Sequence, residues 1–93
     1  MAAKIDVDET RPGEFRVTVS EGKSRSTHTV TVDPAYARRL GGDAVDAAAL
    51  VRRSFEFLLE REPKESILGT FALPVIGRYF PEYEREIARR LGG

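Results

Sequence analysis

The sequence predicts an α+β domain in which a three-stranded antiparallel meander is followed by one long helix and several short helices packed on one face. Apolar residues alternate with polar ones through three short runs within residues 3–32, which is typical of strands with one buried face. Across residues 34–91 the composition shifts to Ala, Arg and Glu, and apolar residues recur at helical spacing. Strands followed by helices indicate the α+β class.

The composition indicates one small domain, residues 1–93, without cysteine chemistry. The chain has 93 residues and no cysteine, which excludes thiol catalysis, cysteine-bound metals and a disulfide framework. Fifteen Lys and Arg balance fifteen Asp and Glu, so no overall field attracts nucleic acid or an anionic membrane. The amino terminus lacks the apolar stretch of a signal peptide, and no apolar run is long enough for a membrane span. We expect a cytoplasmic protein with no membrane partner, cofactor or small-molecule ligand.

The first two runs form a hairpin whose register follows from parity. Directly paired residues of antiparallel strands point to the same face, so paired numbers in this hairpin must add to an even value. A sum of 24 pairs Val7 with Val17. The turn is then either a three-residue loop at 11–13 or a type II turn over residues 11–14 with a bulge.

The second hairpin requires an odd sum, because Phe15 and Val30 must share the buried face. A sum of 45 pairs these two residues, places Val17 opposite His28 and leaves residues 21–24 as the loop. His28 is the only histidine, and we expect it to be half-buried with a structural role. An enzyme that uses His28 with a nearby carboxylate is a further alternative, but the carboxylates are scattered and we predict no enzymatic activity.

Helix signals begin where the third run ends. Asp33 can cap a short helix over residues 35–40, and Pro34 at its first position loses no useful donor. Two glycines, Gly41 and Gly42, end that helix.

The long helix is predicted to run from Ala44 to about Glu62. Asp43 is the expected cap, with Asp46 three residues later in a weaker version of the capping box. On a helical wheel its apolar arc approaches about 200°, which is wider than one sheet can cover. The carboxyl-terminal helices, opened by Pro74 and Pro81, must therefore supply a second cover.

Aromatic and apolar side chains exceed what one core of this size should hide. Clusters occur at Leu50 with Phe57, at Phe71 with Leu73 and at residues 79–83. Exposed apolar clusters mark protein interfaces. We therefore predict a non-enzymatic, self-associating protein-interaction module, in which the last cluster covers part of the long helix and also forms a dimer contact. Its candidate interface comprises Leu50, Phe57, Tyr79, Phe80 and Tyr83.

Arginine supplies the alternative function. Only three of the fifteen basic residues are lysine, and the planar guanidinium of arginine suits contacts with phosphate. The alternative is an antitoxin-like regulator that contacts nucleic acid through Arg16, Arg25, Arg78, Arg85 and Arg89. Interleaved acidic residues and the absence of an aromatic residue on the outward sheet face argue against it.

Two segments carry a resemblance to known sequences. Residues 50–62, LVRRSFEFLLERE, and residues 74–87, PVIGRYFPEYEREI, resemble the carboxyl half of small bacterial and archaeal proteins that share a domain of unknown function. The motifs FEFLLEREP and IGRYFPEYEREI carry this resemblance, which implies no activity. The order of three strands and then a helix is also similar to HicB-type antitoxin domains, at the level of fold alone.

Overall fold

The computed structural model describes residues 3–92, which form one four-stranded sheet and four α-helices. The strands are β1 (Lys4–Arg11), β2 (Glu14–Glu21), β3 (Ser24–Thr31) and β4 (Thr70–Ala72). The helices are α1 (Pro34–Gly41), α2 (Ala47–Leu59), α3 (Ile76–Tyr79) and α4 (Tyr83–Gly92). Short 3₁₀ turns at Lys64–Ser66 and Leu73–Val75 flank β4.

Both predicted hairpin registers are confirmed. Val7 lies opposite Val17 between β1 and β2, and Phe15 lies opposite Val30 between β2 and β3. The valines and Phe15 on β2 are buried, whereas the alternating residues point away from the core. Parity therefore determined both registers, because only one face of this meander is covered.

Of the two predicted first turns, the structure has the turn over residues 11–14 with a bulge. Pairing shifts by one residue between Glu9 and Arg11, which leaves Pro12-Gly13 as the turn. Gly13 has φ +80°, a left-handed conformation that glycine adopts without steric cost. A Cβ at Gly13 would also lie 3.1 Å from the carbonyl oxygen of Val32. Proline and then glycine at the two central positions fit a type II turn.

The sheet has four strands in the order β1-β2-β3-β4, so the prediction of three strands is incomplete. The additional strand, β4, runs parallel to β3 and places Phe71 opposite Val30. The N–H of Thr29 donates to the carbonyl of Gly69 at 2.7 Å. A strand of three residues is too short to show alternation. Its conformation depends on pairing with a strand some forty residues earlier in the chain.

Helix α1 begins as predicted. The side chain of Asp33 accepts a hydrogen bond from the N–H of Ala35 at 2.8 Å, and Pro34 occupies the first turn. Gly42 ends the helix with φ +87°.

Helix α2 is shorter than predicted at both ends. It begins at Ala47, and its cap is Asp46, which accepts from the N–H of Ala48 at 3.0 Å. The prediction that Asp43 caps a helix from residue 44 is therefore wrong. At the other end the helix stops at Leu59, three residues before the predicted end.

Close packing at Gly41 explains the later start. The N–H of Val45 donates to the carbonyl of Gly42 at 3.2 Å, which folds residues 42–45 into a turn. The side chain of Val45 then lies where a Cβ on Gly41 would be. Because glycine has no Cβ, the chain can turn back on α1 before α2 begins.

The wide apolar face of α2 is covered from two directions, as predicted. On the sheet side, the rings of His28 and Phe55 lie 5.3 Å apart. On the other side, the centre of the Phe57 ring lies 5.9 Å from that of Phe80 and 5.4 Å from that of Tyr83. The carboxyl-terminal segment therefore forms part of the same core as the sheet.

A buried hydrogen-bond chain joins α4 to α2. The hydroxyl of Ser54 lies 2.7 Å from the carbonyl of Leu50 and 2.7 Å from the hydroxyl of Tyr83. Since the Ser54 proton goes to the carbonyl, Tyr83 donates to Ser54. Burial raises the pKa of the Tyr83 hydroxyl well above its ordinary value.

Candidate functional site

The five predicted interface residues fall into two groups. Leu50, Phe57 and Tyr83 are fully buried in the chain's own core, so their side chains are not at its surface. Tyr79 is 66% exposed, and Phe80 is half-buried. The two groups differ because Tyr83 of α4 packs against Phe57 of α2, which buries both rings, while Tyr79 lies at the end of α3.

A groove lies beside Tyr79, between the carboxyl end of α2 and the segment from residue 66 to 80. Its volume is about 310 Å³, and Glu62 and Ser66 contribute its polar lining. The groove walls are apolar and comprise Leu58, Ile67, Phe71, Val75, Ile76 and Phe80. A recess of this composition can accept apolar side chains.

The rim of this groove carries the exposed hydrophobic surface of the domain. Within residues 3–92, the large hydrophobic residues that are exposed are Leu68, at 45%, and Tyr79, at 66%, and both border the groove. Single exposed hydrophobic residues are common on protein surfaces. Two of them around one apolar recess form a continuous patch, which is the usual mark of an interaction site.

His28 holds one wall of the groove in place. Its Nδ1 lies 2.8 Å from the carbonyl oxygen of Leu68, and its Nε2 lies 2.8 Å from Oγ of Ser26. Because a carbonyl only accepts, Nδ1 carries a proton and donates to Leu68. His28 is 3% exposed, so the expectation of half-burial is wrong. The chain ahead of β4 passes over the ring and encloses it.

Lys64 is a second anchor, and no sequence pattern indicates it. Its side chain is 3% exposed, and its ammonium group pairs with the carboxylates of Glu65 and, at 3.5 Å, Glu21. These partners, above all the Glu65 carboxylate that accepts a hydrogen bond from the ammonium group, raise the pKa of Lys64. The ion pairs attach the turn before the groove to the end of β2, so this wall is held at two points.

Charged residues fix the far side of Phe57. The guanidinium carbon of Arg61 lies 3.6 Å from the centre of the Phe57 ring, and its Nε lies 3.1 Å from Glu82. Arg90 of α4 donates to Glu60 at 2.7 Å, and this hydrogen bond lowers the pKa of Glu60. These contacts join the ends of α2 and α4 next to the groove.

The five arginines of the alternative prediction lie on different sides of the domain. Arg16 and Arg25 are exposed on the outer face of the sheet. Arg78, Arg85 and Arg89 are exposed on α3 and α4, in the helical layer on the other side. Arg89 also lies 3.8 Å from Glu86. The fold does not bring these five residues together on one surface.

The described residues contain neither a metal-ligand cluster nor a membrane-spanning helix. In the described part of the chain, no group of three His, Cys, Asp or Glu side chains is placed to hold a metal ion. Between residues 3 and 92, no helix is both long enough and apolar enough to cross a membrane. Protein-family models, curated proteins and solved structures give no match to this chain.

Proposed function

We propose that this domain is a non-enzymatic protein-interaction module that self-associates through the apolar groove. The observation that carries the proposal is the position of Leu68 and Tyr79. These exposed large hydrophobic residues border the same apolar recess. A partner that covers them also removes the groove walls from water, which favours association.

A second copy of the chain fits this surface because the surface has both a recess and protruding side chains. An isologous interface uses the same patch on both subunits, so the patch must be complementary to itself. Leu68 and Tyr79 of one copy can enter the groove of the other. The rim also carries both signs of charge, with Glu62 in the groove and Arg78 next to Tyr79. The formal net charge of zero adds no overall repulsion between copies.

The exposed area predicts a weak dimer. Full burial of a large apolar side chain contributes about 1.5 to 3 kcal/mol. At the observed exposures, Leu68 and Tyr79 from two copies contribute roughly 5 kcal/mol together. Association costs about 4 to 15 kcal/mol in lost freedom of motion, so the groove walls must contribute as well. We expect a dissociation constant in the micromolar to millimolar range.

Sedimentation of matched variants tests the proposal. The wild-type chain should shift from the mass of one chain to that of two as its concentration rises. Tyr79→Ser and Leu68→Ser should each weaken dimerisation about tenfold or more, because each removes apolar contacts on both sides of the interface. Arg16→Ser, on the opposite face, is the control and should leave the dissociation constant unchanged.

Two results would count against the proposal. A wild-type chain that stays monomeric at millimolar concentration would leave the groove to a different partner and overturn self-association. A dimer that Arg16→Ser weakens, and that Tyr79→Ser and Leu68→Ser leave intact, would place the interface on the outer sheet face.

A further inference from the structure

Strand β4 has a free edge next to the groove. In a parallel ladder, one residue bonds to the two neighbours of the residue opposite it. Thr29 of β3 lies opposite Thr70, and the N–H of Thr29 donates to the carbonyl of Gly69. The N–H of Phe71 then donates to the carbonyl of Thr29, so Gly69 and Phe71 both bond to β3. The main-chain N–H and C=O groups of Thr70 and Ala72 therefore point away from β3, and each of these carbonyl oxygens can accept a hydrogen bond from another chain. Both residues are exposed.

The two edges of the sheet differ in their protection. The β1 edge is charged along its length, with Lys4, Asp6 and Asp8 among its residues, and Arg52 donates to the carbonyl of Ile5. Charged side chains of this kind prevent unwanted pairing of edge strands. The β4 strand is Thr-Phe-Ala and has no charged residue, and the side chain of Phe71 forms part of the groove wall. The uncharged edge and the apolar groove thus occur together.

We infer that the dimer forms by antiparallel pairing of β4 with β4 of a second copy, which deepens the proposed function and rests on it. Pairing Thr70 of each chain with Ala72 of the other uses the outward groups of both residues. The two copies of Phe71 then face each other at the two-fold axis. The result is one continuous eight-stranded sheet.

The same symmetry places the grooves of the two copies next to each other. A two-fold axis perpendicular to the sheet keeps both helical layers on the same side. Because Phe71 belongs both to β4 and to the groove wall, pairing of the strands brings the two grooves next to each other. Leu68 and Tyr79 of each copy then lie at the groove of the other. Main-chain pairing gives the alignment, and the apolar groove gives the driving force, as in other cases of strand addition.

Amide hydrogen exchange and one pair of variants test this arrangement. In the wild type, exchange at Thr70 and Ala72 should slow as the dimer fraction rises. The amide of Phe71 is bonded within one chain, so it should be protected at all concentrations and serves as the internal reference. Thr70→Pro removes an outward donor at the first position of an edge strand, where proline is tolerated. Since two hydrogen bonds are lost per dimer, dimerisation should weaken roughly 30-fold. Thr70→Ser keeps the N–H and should dimerise like the wild type.

The outcomes separate this inference from the proposed function. A wild type that never dimerises overturns both. A wild-type dimer in which Thr70 and Ala72 exchange as fast as in the monomer overturns strand pairing and leaves groove-mediated association standing. If Thr70→Pro loses the protection of Phe71, the fold of that variant has changed, and exchange in the wild type alone decides.

Discussion

Replacing Ser54 by Ala should destabilise the domain more than replacing Tyr83 by Phe, although both changes remove the same hydrogen bond. Tyr83 donates to Ser54 at 2.7 Å in a fully buried site. Ser54→Ala leaves the Tyr83 hydroxyl buried without an acceptor, which costs about 1 to 3 kcal/mol. The better helix propensity of alanine returns roughly 0.5 kcal/mol, so from the middle of that range the net loss should be about 1.5 kcal/mol. Tyr83→Phe leaves Ser54 bonded to the Leu50 carbonyl and should cost about 1 kcal/mol.

The double variant tests the reasoning behind these numbers. Once Ser54→Ala has been made, Tyr83→Phe removes an unsatisfied hydroxyl, so the double variant should cost about 1 kcal/mol less than the sum of the single variants. Guanidinium unfolding followed by far-ultraviolet circular dichroism measures each free energy of unfolding. Strict additivity, or a Tyr83→Phe variant as stable as the wild type, would refute a Tyr83 hydroxyl buried against Ser54.

Three further predictions concern the core, the helix cap and pH. Phe55→Ala should cost about 3 to 5 kcal/mol in chemical denaturation, because Phe55 is fully buried between sheet and helix; a loss below about 1 kcal/mol would contradict that packing. Asp46→Ala should lower the free energy of unfolding by about 0.5 to 2 kcal/mol, and Asp43→Ala should barely change it. If Asp43→Ala were the more destabilising variant, Asp43 would be the cap of α2, as the sequence predicts. Burial raises the pKa values of Tyr83 and Tyr36, so the folded chain keeps protons that the unfolded chain releases. The free energy of unfolding should therefore fall as the pH rises above about 10, and a flat profile there would contradict the burial of these hydroxyls.

Local patterns were enough to predict the meander. Alternation assigned Phe15 and Val17 to the buried face, and parity then left few registers open. The start of α1 was equally local, because Asp33 followed by Pro34 contains the whole signal for a cap.

Some features that depend on distant parts of the chain were not predicted. Strand β4 forms because it pairs with the edge of β3. Three residues are too few for an alternating pattern to predict a strand. The start of α2 depends on the packing of Val45 against Gly41, and helix propensity does not predict this tertiary contact. Asp43 and Asp46 are equally good caps in isolation, so the tertiary contact decides between them.

The candidate site was predicted only in part. Hydrophobicity identified Tyr79 and Phe80 together with Leu50, Phe57 and Tyr83, because a sequence shows which residues are apolar and not which are covered. The sequence does not indicate Leu68 as an interface residue, because its exposure follows from the path of the chain over His28. The groove itself forms between segments that meet only in the fold.

Chemical shifts of the backbone amides as a function of protein concentration test self-association through the groove most directly. As the concentration rises, we expect the shifts to change at Leu68, Tyr79 and their neighbours on the groove, while the shifts of Arg16 and Thr18 on the outer sheet face stay constant. Spectra that do not change up to millimolar concentration, or changes confined to Arg16 and Thr18, would contradict it.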